Sequence, residues 1–150
     1  MKKETEKNIL TQISSKTSSF ILDVSEYAQV SDCLKAILAL NSRIDVLFNN
    51  AGILLPGTSS ITPDEFGRMI DVNMRGIYNL IHVVVPIMKS QKQGYIFNMS
   101  SNAGKRPVNK LGTYAMTKYG VLGFSQSLSL ELLQDNIKVT AICPSVVDTE

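Results

Sequence analysis

Two hydrophobic periods alternate along this chain. Continuous apolar runs, the pattern of strands buried on both faces, are separated by stretches with apolar positions three and four residues apart, the pattern of helices. "SFILDV" at 19–24 is the first run and predicts a strand ending at Asp23. Ser25 stands where a helix cap would be, and Val30, Cys33, Leu34 and Ile37 predict a helix to about Leu40. "DVLFNNAG" at 45–52 predicts a second strand, broken by Asn and Gly. Thr62, Pro63 and Asp64 read as a cap and first turn, opening a helical stretch through Met69, Val72, Ile77 and Leu80 toward Met88. "GYIFNMSS" at 94–101 is a third strand, 113–134 is helical with apolar or small residues on more than one face, and "IKVTAICPS" at 137–145 is a fourth strand.

Apolar strands alternating with helices imply an α/β fold, a mostly parallel sheet covered on both sides. No internal repeat and no low-complexity linker divides the chain, so 1–150 reads as one domain. Ligands of such sheets bind beyond the carboxyl ends of the strands. Asp23, Asn49 and Asn50, Ser100 and Ser101, and the stretch from Pro144 to Thr149 all fall at or just after those ends, and Tyr114 and Lys118 begin the helix after the third. Part of this clustering is trivial, because loops are polar.

Composition narrows the chemistry. Hydrophobic residues are 44% and charged residues 19%, an ordinary globular balance. A net charge of +2, with no basic cluster beyond the first residues, gives no footprint for nucleic acid. Cys33 and Cys143 stand far apart and read as thiols in a reducing compartment. His82 is the single histidine, which excludes a histidine-based metal cluster, and no metal site is expected. "MKKETEKNIL" lacks the apolar stretch of a signal peptide. The most apolar segment, "GIYNLIHVVVPIM", is too short to span a membrane and contains Asn79, His82 and Pro86. No membrane association is expected, and the cytoplasm is the expected location.

Several pieces then occur in a fixed order: "LDV" at 22–24, "NNAG" at 49–52, "DVNMRG" at 71–76, "FNMSS" at 97–101, "YAMTK" at 114–118 and "PSVVDT" at 144–149. Together they resemble the short-chain dehydrogenase/reductase family of the classical type. The resemblance implies a Rossmann-like, doubly wound, three-layer α/β/α sheet. It also implies an NAD- or NADP-dependent oxidoreductase that interconverts a secondary alcohol and a carbonyl. By the same resemblance Tyr114 and Lys118 are the catalytic pair, and their i,i+4 spacing puts both on one helix face, where an ammonium favours the phenolate form. Ser101 matches the catalytic serine, whose hydroxyl meets the substrate oxygen; Ser100 is its plainer structural neighbour. Asn73 matches the asparagine that extends the site through a water, the plainer reading being a helix asparagine facing solvent. Asp23 and Val24 match residues at the adenine. Asn50, Ala51 and Gly52 match the turn beside the adenine ribose, against the plainer reading of a strand-ending turn. Val147 and Thr149 match the segment that orients the carboxamide.

The chain also departs from the family pattern. Ser145 follows Pro144 where the family usually has glycine, which would add strain if φ there were positive. No glycine-rich "TGxxxGxG" element is present, so the sequence reads as the middle of such a dehydrogenase, truncated at both ends. The complete form is expected to be a homo-oligomer. A competing reading is an inactive remnant acting through helix association, supported by the small residues Gly120, Gly123, Ser125, Ser127 and Ser129.

Overall fold

The computed structural model describes residues 17–145. Its sheet has three parallel strands, β1 (Val46–Asn49), β2 (Gly94–Met99) and β3 (Ile137–Ile142), in the order β1-β2-β3. Val46, Tyr95 and Lys138 lie side by side across it, as do Phe48, Phe97 and Thr140. Their parallel direction is the one expected of the three runs.

Among the described residues the helices that pack on the sheet cover one face. Ile96 and Ile137 point into that covered face and are buried with Ile81, Val84, Val121 and Leu128. The other face carries Val46, Phe48 and Tyr95, all exposed, with the Phe48 and Phe97 rings 6.0 Å apart.

The first run departs from expectation. Residues 19–23 form no strand, because their backbone meets no partner edge among the described residues; Ile21 is fully exposed. Ser25 does not cap the helix that follows. Its hydroxyl donates to Asp23 Oδ1 (2.7 Å), and α1 (Tyr27–Leu40) starts after Glu26 with no side-chain cap. The segment is held from the side instead. Asn79 Nδ2 donates to the carbonyls of Val24 and Ser25 (3.0 Å each), and Val24 packs so close to Gly76 that a Cβ there would lie 2.6 Å from Val24 Cγ2.

The long middle helix is two helices joined by a π turn. In α2 (Pro63–Ile70) Thr62 accepts from the Glu65 N–H while the Glu65 carboxylate accepts from the Thr62 N–H, a reciprocal capping box. Asp71–Arg75 form a π turn, and α3 (Gly76–Gln91) continues to a left-handed Lys92. The last long helix is α4 (Gly112–Glu131).

Candidate active site

Strand β2 delivers its end directly beneath α4. Ser100 is buried and donates its hydroxyl to the Lys118 carbonyl (2.8 Å), while Lys118 Nζ donates to the Met99 carbonyl (2.9 Å). Lys118 is therefore fastened at both ends to two consecutive residues. Its side chain is buried, and loss of hydration lowers the ammonium below its ordinary value. Nζ lies 5.6 Å from the Tyr114 ring centroid.

Ser101 follows in extended conformation and caps the 3-10 turn Asn102–Gly104, its Oγ accepting from the Ala103 N–H (3.1 Å). A hydroxyl that only accepts within the protein keeps its own proton free to donate. The two serines thus divide: both line the cleft, Ser100 with its proton given to the helix and Ser101 with no acceptor for its proton among the described residues.

Asn73, in the middle of the π turn, is fully buried rather than facing solvent. Its Oδ1 accepts from the Ile53 N–H (2.7 Å), and its Nδ2 donates to the Ile53 carbonyl (2.9 Å) and to Thr117 Oγ1 (3.1 Å). π turns recur at functional sites because the extra residue turns side chains inward out of the regular helix pattern.

These elements form a cleft lined by Asn50, Gly52, Ile53, Met99, Ser100, Ser101, Tyr114 and Lys118, together with Pro144 and Ser145. A Cβ on Gly52 would lie 3.3 Å from Asn73 Oδ1 and 3.4 Å from Lys118 Nζ, so glycine keeps this floor open. Val24, Asn50 and Ala51 line an adjoining pocket with Val72 and Gly76. Asp23 precedes Val24 in the chain and is in the lining of neither pocket; its carboxylate accepts from the Ser25 hydroxyl and N–H, which lowers its pKa. Ser145 is outside the left-handed region, occupied among the non-glycine residues described by Lys92, Lys110 and Asn136, so serine adds no strain. Val147 and Thr149 lie outside the described residues.

Asn79 and Thr117 went unread as site-building residues. Both act on backbone or amide groups more than forty positions away. Of the small residues on α4, Ser125 turns inward to accept from Asn98 Nδ2 (2.9 Å), Gly120 packs under Met74, and Gly123 faces open space. No helix among the described residues is long and apolar enough to cross a membrane.

The family model described as "short chain dehydrogenase" matches residues 1–150. The chain is 37% identical over 137 residues to 3-oxoacyl-(acyl-carrier-protein) reductase FabG of Chlamydia muridarum, covering 91% of this chain and 55% of that protein. A solved structure of ElxO with NADP bound matches 98% of this chain and 61% of its own at 32% identity and TM-score 0.90. A 3-ketoacyl-(acyl-carrier-protein) reductase from Brucella melitensis complexed with NADH matches 83% of this chain and 54% of its own at 32% identity and TM-score 0.80. The chain spans about half the length of the curated relatives it matches. From a match that runs from its first residue to its last, the chain belongs to the short-chain dehydrogenase family.

Proposed function

We propose that this chain forms the catalytic part of an NAD(P)-dependent oxidoreductase that interconverts a secondary alcohol and a carbonyl on a small molecule, with Tyr114, Lys118, Ser101 and Asn73 as its working residues. The observation that carries this reading is one pocket lined by a phenol, a serine hydroxyl with no acceptor among the described residues, and a buried ammonium 5.6 Å from the phenol ring. Tyr114 exchanges a proton with the substrate oxygen. Ser101 donates a hydrogen bond to that oxygen as its charge changes. Lys118 places its ammonium beside the phenol, and its bond to Met99 is the one its Nζ makes among the described residues, which leaves two of its three protons for a ligand. Asn73 fixes the Ile53 backbone at the edge of the pocket.

The residues present fit a nicotinamide dinucleotide. The open floor at Gly52 and the ammonium of Lys118 suit the nicotinamide ribose, and the pocket of Val24, Asn50 and Ala51, with Asp23 next to Val24 in the chain, suits the adenosine end. Val147 and Thr149 belong to this proposal as the carboxamide-orienting segment. The cofactor, NAD or NADP, supplies the hydride acceptor or donor.

In the protein expressed from its whole coding sequence, Tyr114→Phe lowers turnover of a secondary alcohol or ketone about 10²–10⁴-fold with little change in cofactor affinity. A Tyr114→Phe protein with near-normal turnover overturns the assignment.

A second reading, association through the helices, draws on a different observation. An apolar groove between the π turn, α3 and α4 is lined by Met74, Ile77, Tyr78, Val121 and Phe124, with Met116 and Tyr119 exposed on the same helix as Phe124. We take its occupant to be a second copy of the chain, which makes the complete form a homo-oligomer. Phe124→Lys shifts sedimentation toward the monomer if this is right and leaves it unchanged if it is wrong.

A further inference from the structure

We propose that Thr117 is a positioning residue for this site, its hydroxyl joining the Asn73 amide to the helix turn that carries Tyr114 and Lys118. This rests on the function proposed above. Thr117 is fully buried between the two residues of the pair. Its Oγ1 accepts from Asn73 Nδ2 (3.1 Å) and donates to the Tyr114 carbonyl (2.8 Å). Back-bonding to a carbonyl three residues earlier is a common local habit of threonine in helices. The bond from Asn73 is not local, since it crosses 44 positions and ties α4 to the π turn.

The full path runs from the Ile53 backbone through Asn73 and Thr117 to the Tyr114 backbone, and every member is hydrogen-bonded. Ile53 and Tyr114 line the same pocket. The path therefore sets how far the phenol stands from the opposite edge of the cleft. Without the hydroxyl, one Asn73 N–H is left buried and unpaired, and the link between the π turn and α4 is lost. A small misplacement of a proton-transfer group is enough to slow a reaction strongly. The threonine methyl cannot substitute for this, because the link depends on an oxygen that accepts and donates at once.

Three proteins expressed from the whole coding sequence test it: wild type, T117V, which keeps shape and removes the hydroxyl, and T117S, which keeps the hydroxyl and removes the methyl. Each is assayed for turnover and, by NMR, for solvent exchange of the Asn73 side-chain amide protons. In T117V kcat falls between about tenfold and a hundredfold, KM for the cofactor stays near wild type, and Asn73 exchange accelerates; T117S restores both readouts. Wild-type behaviour of T117V, or a T117S as impaired as T117V, overturns the proposal. If the wild type itself turns nothing over, the proposed function fails, and Asn73 exchange alone decides: unchanged exchange in T117V overturns the role of the hydroxyl, and faster exchange upholds it. If T117V does not fold, the wild-type Thr117 hydroxyl proton decides. A slowly exchanging signal supports the bond to Tyr114, and rapid exchange refutes it.

Discussion

Among the described residues, Lys118 is the one charged side chain in the buried set. Burial lowers its ammonium from 10.5, so between that lowered value and 10.5 the unfolded chain holds more protons than the folded one. Stability from this group therefore rises with pH across that window and is at its lowest below it. Lys118→Met removes the titration. The stability difference, wild type minus variant, should move in favour of the wild type as pH rises toward 10.5 in urea unfolding; a flat difference would contradict the burial. The lysine and its tyrosine were legible in sequence because i,i+4 spacing fixes a shared helix face. Asn73 was legible as a candidate but not as a clamp, since its partner Ile53 is a backbone unit that no side-chain pattern marks. Thr117 was hidden for a similar reason, between two residues that drew the attention.

Secondary structure was readable where a run or a cap carried its own explanation. Thr62 with Glu65 is such a case. Thr62→Ala should destabilise the fold by about 1 kcal/mol, measured by urea unfolding, because it leaves an N-terminal N–H of α2 without its acceptor. Bonds from Thr62 lower the Glu65 carboxyl below 4.5, so its contribution is present above that value and is lost as pH falls through the lowered one. Thr62→Ala keeps the backbone bond to that carboxylate and removes the one from the hydroxyl, so the deficit should shrink in acid by the share of the hydroxyl bond, and a deficit unchanged there would show that the hydroxyl bond to Glu65 contributes nothing. The π turn was not readable, because apolar spacing tolerates one extra residue within a long helix. The 19–24 run misled for a different reason. An apolar run reports a tendency to be buried, whereas a strand also needs a neighbour's backbone, and sequence pattern says nothing about who that neighbour is.

At the scale of the molecule, the open face of the sheet dominates. Val46 is 54% exposed and Phe48 51%, and among the described residues β1 has no hydrogen-bonded partner on its outer edge. Asn49, at the end of β1, is buried with its Oδ1 unpaired among the described residues. Apolar area next to a free edge favours association. The isolated 150-residue chain should therefore sediment as a mixture of assemblies. Phe48→Lys with Tyr95→Lys should shift it toward the monomer at unchanged circular dichroism; assembly insensitive to both would place the contact elsewhere. On the opposite face α4 is keyed to the sheet where Lys118 is fastened to Met99 and Ser100. This works as a vernier: sliding the helix along its axis breaks both bonds at once, so the alignment is read at a single point. It also divides the duties of neighbouring positions, because residue 99 contributes a carbonyl that any amino acid carries, whereas residue 100 contributes a hydroxyl. The anchor at 99 is thus indifferent to that residue's side chain while the anchor at 100 depends on it, and the helix can keep its setting when half of its anchor changes identity.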